Sequence, residues 1–326
     1  MKSFEYAAPR TEAEVVSLLN ERPGKSAILA GGTDLVGLMK KMVETPDRVV
    51  NIMEVDSLKS IVSDASGGVC IGAVVTLDEV LEHPSVSPLV ALTQAIRCIN
   101  SMQLLCQGTI GGELLQRPRC WYYRDGHGLV NDRVAQGENS LHAIFDNSGV
   151  AKFVSASRLA PILIAMQASV RVIDADGAES FRPVDTLYQT PRRSGQRETT
   201  LSDAELLTHV VVPDQLGWVS GSYEVRQSCG PDYPLAAAAC SFSHSGGVVR
   251  EARVVLGHVA PAPRVADDVA EFLRGKVIDM AVADAAGEIA VRQATPLSRN
   301  GYKVQLAKVA VKRAILSAAG LETGGL

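Results

Sequence analysis

Two short glycine stretches carry the residue pattern that points most directly to chemistry. The first, Ala30-Gly31-Gly32-Thr33-Asp34-Leu35, follows an apolar run and precedes an amphipathic stretch that ends near Met42. Glycine lets the backbone bend without a Cβ clash and lets a ligand come close. Thr33 or Asp34 is a natural helix N-cap, which leaves neighbouring backbone N–H groups free to face an anion. A diphosphate fits such a place. Taken alone, a turn of this kind is more often an ordinary strand-to-helix hinge. The second stretch, Gly108-Thr109-Ile110-Gly111-Gly112-Glu113-Leu114, again sets glycines around one apolar residue. Two such turns could close on one extended cofactor from two sides.

The elements that must hold these turns are legible in outline. Residues 1–55 read as a compact α/β unit. Thr11-Glu12-Ala13-Glu14 is a capping box that opens a helix through Leu19, and Pro23-Gly24 ends it. A strand over 26–30 feeds the first turn, and another covers 48–52. Residues 56–216 read as a larger α+β domain. It has strands at 69–73, 170–174 and 210–212, a second capping box at Thr76-Leu77-Asp78-Glu79, and a helix over 89–96 leading to the second turn. Ser202-Asp203-Ala204-Glu205 predicts a further capped helix. Residues 117–150, rich in Arg, Tyr, Gly, Asp and Asn, form a long loop of the functional or disordered kind. Residues 217–326 read as a third unit. Strands cover 221–226, 235–243 and 248–259, with Ser245-Gly246-Gly247 as a hairpin turn. Helices follow at 266–274, 279–292 and 302–319, with Gly275 and Gly320 after the first and last. On the last helix Val304, Val311 and Ile315 form an apolar face, and Lys303, Lys308, Lys312 and Arg313 are expected in solvent.

Composition narrows the function classes. The 326 residues are 46% hydrophobic with a net charge of −4, so two or three domains with a sizeable core are expected. No basic block points to nucleic acid, and nothing points to a membrane surface. The longest apolar stretches, such as 160–168, are too short to span a bilayer. The opening MKSFEYAAPRTEAE has no apolar signal region, so a cytoplasmic location is expected. The six cysteines, Cys70, Cys98, Cys106, Cys120, Cys229 and Cys240, form no C-x-x-C pair, so no metal site is predicted. His142, His209, His244 and His258 are scattered and fit no catalytic triad. They read as structural, with His142 as a packed loop anchor, and no catalytic residue is assigned.

AGGTDL (30–35) followed by GTIGG (108–112) resembles the flavin-binding subunit of molybdenum-containing hydroxylases and dehydrogenases, the relatives of xanthine dehydrogenase. The resemblance runs on through QRPRCWYYRD (116–125), LAP (159–161), DYPLA (232–236), VLGHVAPAPR (255–264) and PLSRNGYKVQLAKVAVKRAIL (296–316). The middle and C-terminal motifs look most like the branch containing the 4-hydroxybenzoyl-CoA reductase flavin subunit. The resemblance implies an α+β, three-part flavin-binding fold. Its parts are a small N-terminal α/β unit (1–55), a larger α+β domain (56–216) and a C-terminal antiparallel sheet with helices (217–326). FAD would lie between the first two. It implies an electron-transfer subunit whose substrate chemistry belongs to a large molybdenum-cofactor subunit, with a small [2Fe–2S] subunit as relay. Carried over by position, Ala30, Gly31, Gly32, Thr33, Asp34 and Leu35 would hold one side of FAD. Gly108, Thr109, Gly111, Gly112 and Glu113 would hold the other.

Several positions depart from that pattern. Glu113 stands where Asn is usual, Arg158 where Asp is usual, and Glu224 near a usual Lys. Together they predict a cradle that binds FAD more weakly, with Glu113 repelling the diphosphate and Arg158 offsetting part of that. In the reductase branch the long loop carries cysteine ligands for an extra [4Fe–4S] cluster. Here Cys120 stands without partner cysteines before Cys229, so no cluster is expected. Trp121, Tyr122, Tyr123, Arg117 and Arg119 suit a docking surface, and drift after cluster loss is the alternative. The leading reading is thus an FAD-binding electron-transfer subunit. The rivals are a degenerate scaffold subunit without flavin and a free-standing flavin oxidoreductase.

Overall fold

A computed structural model describes residues 1–228, 230 and 232–324, so Cys229 lies outside the described residues. Among these, the strands form three sheets. The first is parallel, in the order β1 (Glu5–Ala7), β3 (Arg48–Asn51), β2 (Ser26–Leu29). Parallel neighbours need crossover connections. Helix α1 (Glu12–Glu21) and the shorter α2 (Leu35–Lys40) supply them. The Thr11–Glu14 capping box is formed at the start of α1, whose Val15, Val16 and Leu19 pack on Val50 and Ile52.

The second sheet is antiparallel, in the order β4 (Ile61–Ser63), β5 (Val69–Gly72), β8 (Leu206–Val212), β6 (Ser169–Ile173), β7 (Glu179–Pro183). Helices α3 (Leu77–Glu82), α4 (Val90–Arg97) and α8 (Ala160–Ala165) bury their apolar residues with it. Around them lie α5 (Met102–Gln107), α6 (Ile110–Leu114) and α7 (Trp121–Arg124). The third sheet runs β12 (Arg264–Val265), β11 (Val248–Gly257), β10 (Ala236–Ser245), β9 (Trp218–Val225), backed by α9 (Asp267–Leu273), α10 (Met280–Ala290) and α11 (Tyr302–Ala318). Gly246 and Gly247, both at positive φ, make the β10–β11 hairpin.

Two expectations fail. Ser202 does not open a helix. Its N–H donates to Glu205 Oε2 at 2.7 Å, and Glu205 N–H donates back to the Ser202 carbonyl at 3.2 Å. The same Ser-x-x-Glu pairing that caps a helix here closes a turn, because the following Leu206–Val212 segment is rich in valine and pairs with β5 and β6. Lys303 is not in solvent either. It is 1% exposed, and its ammonium donates to the carbonyls of Leu141, His142 and His258 at 3.2, 3.1 and 2.8 Å. Burial lowers its pKa from 10.5 to about 7. This anchor, together with Asn300, ties the long loop to the start of α11.

Candidate functional site

The two glycine turns meet. A Cβ on Gly31 would fall 1.6 Å from the carbonyl oxygen of Gln107, so only glycine permits the approach. Gly111 in turn packs on Ala73, 2.9 Å from a Cβ that it lacks. Beside this contact opens a cleft of about 600 Å³. Its walls include Ala30, Gly31, Gly32, Thr33, Asp34 and Leu35 from the first turn and Thr109, Gly111 and Gly112 from the second. The lining also takes in the segment 195–207, including Arg197, Thr199 and Leu201, which the sequence did not single out, and Ser202, Asp203 and Glu205, expected there as a helix start. A smaller pocket of about 60 Å³ adjoins it, lined in part by Gly108, Glu113, Gln116, Arg158 and Tyr233.

The turns differ in what their backbones offer. The N–H groups of Gly32, Thr33 and Asp34 meet no acceptor among the described residues. In the second turn Ile110 and Gly111 donate to the carbonyls of Val75 and Ala73, and Gly112 and Glu113 to the Thr109 hydroxyl and carbonyl. Thr109 is thus the N-cap of α6. Asp34, by contrast, makes no side-chain cap bond to α2. Its carboxylate accepts from the Arg117 N–H at 2.8 Å and pairs with Arg124 at 2.7 Å and Arg119 at 3.3 Å. It fastens the first turn to the long loop.

The aromatic and basic run of that loop is mostly spent inside the chain. Arg117 pairs with Glu44 and Glu198, and Tyr123 is 5% exposed with its hydroxyl donating to Glu44 at 3.0 Å. Trp121 alone of the five expected docking residues is classed as exposed. Cys120 Sγ lies 3.2 Å from His142 Nε2, and burial drives His142 down to about 4, so its ring is neutral at pH 7. His142 is the packed loop anchor expected of it. Among the described residues no group of three or more His, Cys, Asp or Glu side chains could hold a metal ion.

Glu113 does not present a bare charge to the cleft. It accepts from the N–H groups of Arg158 and Leu159, from the Ser157 hydroxyl at 3.3 Å and from the Gln116 amide. Burial pushes its pKa up to about 7 against the pull of those donors. Arg158 was expected to offset Glu113 by pairing with it or with the diphosphate, and no side-chain pair between Arg158 and Glu113 forms. The Arg158 backbone, not its guanidinium, meets Glu113, and the guanidinium pairs with Glu224 at 3.6 Å. Sequence reasoning assigned no site role to Gln116, though it opens the QRPRCWYYRD run, or to Arg197, Thr199 and Leu201, which carry no motif of their own.

Comparison with known proteins bears on this geometry. The family described as "FAD binding domain in molybdopterin dehydrogenase" matches residues 2–215, and "CO dehydrogenase flavoprotein C-terminal domain" matches 222–318. The chain belongs to this FAD-binding family. It is 30% identical over 317 residues to the aldehyde oxidoreductase FAD-binding subunit PaoB of Escherichia coli K12, covering 94% of this chain and 96% of that protein. It is 26% identical to the carbon monoxide dehydrogenase medium chain of Hydrogenophaga pseudoflava, covering 97% and 96%. Among solved structures, quinoline 2-oxidoreductase from Pseudomonas putida 86 superposes with a TM-score of 0.76 at 26% identity, covering 98% of this chain and 99% of that one. The mixed three-sheet fold is that of this flavin-binding family. No helix among the described residues is long and apolar enough to cross a membrane.

Proposed function

We propose that the chain is the FAD-binding, electron-transfer subunit of a molybdenum hydroxylase-type oxidoreductase complex. The observation that carries this reading is the 600 Å³ cleft in a member of an FAD-binding family, walled by a glycine turn with unpaired N–H groups. That volume falls in the range of small-molecule and cofactor sites, and successive backbone N–H groups left without an acceptor suit a diphosphate. Residues Ala30 to Leu35 would hold the diphosphate. Gly108, Thr109, Gly111 and Gly112 would shape the facing wall, and Glu113 would brace it. Bound FAD supplies electron exchange between an outside donor or acceptor and partner clusters. The chain's own residues bind, orient and shield it.

The partners in this reading are a large molybdenum-cofactor subunit and a small [2Fe–2S] subunit, in the cytoplasm. The chain itself carries no [4Fe–4S] cluster, and its three parts are 1–55, 56–216 and 217–326. FAD is retained in this reading, because the charges at Glu113, Arg158 and Glu224 are met within the protein. The visible spectrum of the purified chain, with affinity purification from the native host, tests it. A yellow chain bringing down a large molybdenum subunit and a small iron–sulfur subunit is expected. A colourless chain that still holds the large subunit would favour the flavin-free scaffold.

A further inference from the structure

Glu113, Arg158 and Glu224 belong to one circuit in the fold, together with Gln116 and Tyr233. The Arg158 N–H donates to Glu113, and the Gln116 amide donates to the same carboxylate. The Tyr233 hydroxyl donates to Gln116 Oε1 at 2.7 Å, and the Arg158 guanidinium lies 5.3 Å from the centre of the Tyr233 ring. The circuit therefore begins and ends on Arg158, and Glu113, Gln116, Arg158 and Tyr233 all line the small pocket beside the glycine turns. The guanidinium also donates to the carbonyls of Cys98, at 2.9 Å, and Asp232. It thus joins the end of α4, the approach to β10 and, through Glu224, strand β9.

Among the described residues Glu224 has an ion pair with Arg158 and no side-chain hydrogen bond. Its side chain is 5% exposed and that of Arg158 is 4% exposed, and neither carboxylate oxygen of Glu224 finds a hydrogen-bond partner. A buried charge without its counter-charge is strongly unfavourable, so Glu224 depends on Arg158 first, and Arg158 holds its place through Glu224, the two carbonyls and the Tyr233 ring. Arg226, which donates to the Cys98 carbonyl at 2.7 Å, adds a second positive group nearby.

We propose that Arg158 and Glu224 are a coupled positioning pair for the cofactor cleft, acting through Tyr233, Gln116 and Glu113 on the second glycine turn. The proposal rests on the FAD reading above. Neither residue is assigned a contact with the reacting atoms. Their work is to hold the wall of the pocket in register with the turn.

The test is a charge-swap cycle on the whole chain, with Arg158→Glu, Glu224→Arg, the swapped double variant and Arg158→Lys. FAD affinity by titration, the fluorescence yield of bound flavin and the melting temperature without flavin are measured for each. Each single reversal is expected to weaken FAD at least tenfold and to change the bound-flavin fluorescence. The double variant should bind FAD more tightly than either single reversal but short of the parent, because a carboxylate at 158 cannot donate to the Cys98 and Asp232 carbonyls, and Arg158→Lys should retain most of the affinity. Should the single reversals fail to fold, the neutral variants Arg158→Gln and Glu224→Gln take their place, with the same direction of change in FAD affinity and bound-flavin fluorescence expected of each. Equal FAD affinity and fluorescence in all folded variants would overturn the proposal while the FAD reading stood, as would a double variant no better than the singles. A parent chain that binds no FAD would overturn both.

Discussion

In the first glycine turn the N–H groups of Gly32, Thr33 and Asp34 meet no acceptor among the described residues, whereas Ile110 to Glu113 in the second all donate within the chain. Both stretches present glycines around a threonine. The first leaves its donors unpaired, as the proposed diphosphate site requires, and the second uses its donors to build a wall against Ala73 and Val75. Similar local sequence therefore divides into a binding turn and a bracing turn, and tertiary partners decide which is which.

Substituting at the point where the turns touch should give the largest effect. Gly31→Ala puts a Cβ 1.6 Å from the Gln107 carbonyl oxygen, so backbone must move. We expect a loss of at least about 3 kcal/mol in denaturant unfolding, together with loss of flavin binding. A variant of parental stability would mean that the turns do not meet as described. Gly111→Ala meets Ala73 at 2.9 Å and should cost about 1–3 kcal/mol. If Gly111→Ala proved costlier than Gly31→Ala, the bracing turn would be the tighter of the two, against this account.

Glu113 sharpens the contrast through pH. Its pKa rises from 4.5 to about 7 in the fold, so between these values the folded chain binds more protons than the unfolded one. Its contribution to stability is then full at low pH and is lost as pH climbs through about 7. Melting temperatures across that window should fall less steeply in Glu113→Gln than in the parent. An unchanged slope would remove Glu113 from the brace. The smallest effect belongs to Gly37, in α2 just beyond the first turn, where an added Cβ meets nothing within 4 Å. Gly37→Ala should leave flavin affinity unchanged and gain about 0.5–1 kcal/mol, measured by thermal unfolding. A loss of stability there would show that the first turn is braced as tightly as the second.

Much of this was readable from local pattern, and the exceptions have physical causes. The Thr11 and Thr76 capping boxes, the glycine turns and the Gly246-Gly247 hairpin are specified by neighbouring residues, and the fold keeps them. Strand β1 is three residues long and α5 buries none of its residues, so neither leaves a periodic signature. Ser202 and Glu205 offered the chemistry of a cap, but the strand that follows took the segment into the sheet. Lys303 looked wet because lysine usually is, and only the carbonyls converging from 141, 142 and 258 reveal the exception. The charge changes at Glu113, Arg158 and Glu224 were visible singly. Their coupling depends on contacts between residues far apart in the chain.

In the proposed function the first turn recognises the diphosphate of FAD. Titrating the whole chain with FMN and with riboflavin, which lacks only the phosphate, with FAD as the reference, isolates the anion's contribution. FMN is expected to bind at least about tenfold more tightly than riboflavin, the effect of roughly 1.4 kcal/mol of anion recognition by unpaired N–H groups, and FAD more tightly still. Equal affinities for FMN and riboflavin, or no binding of FAD, would contradict it.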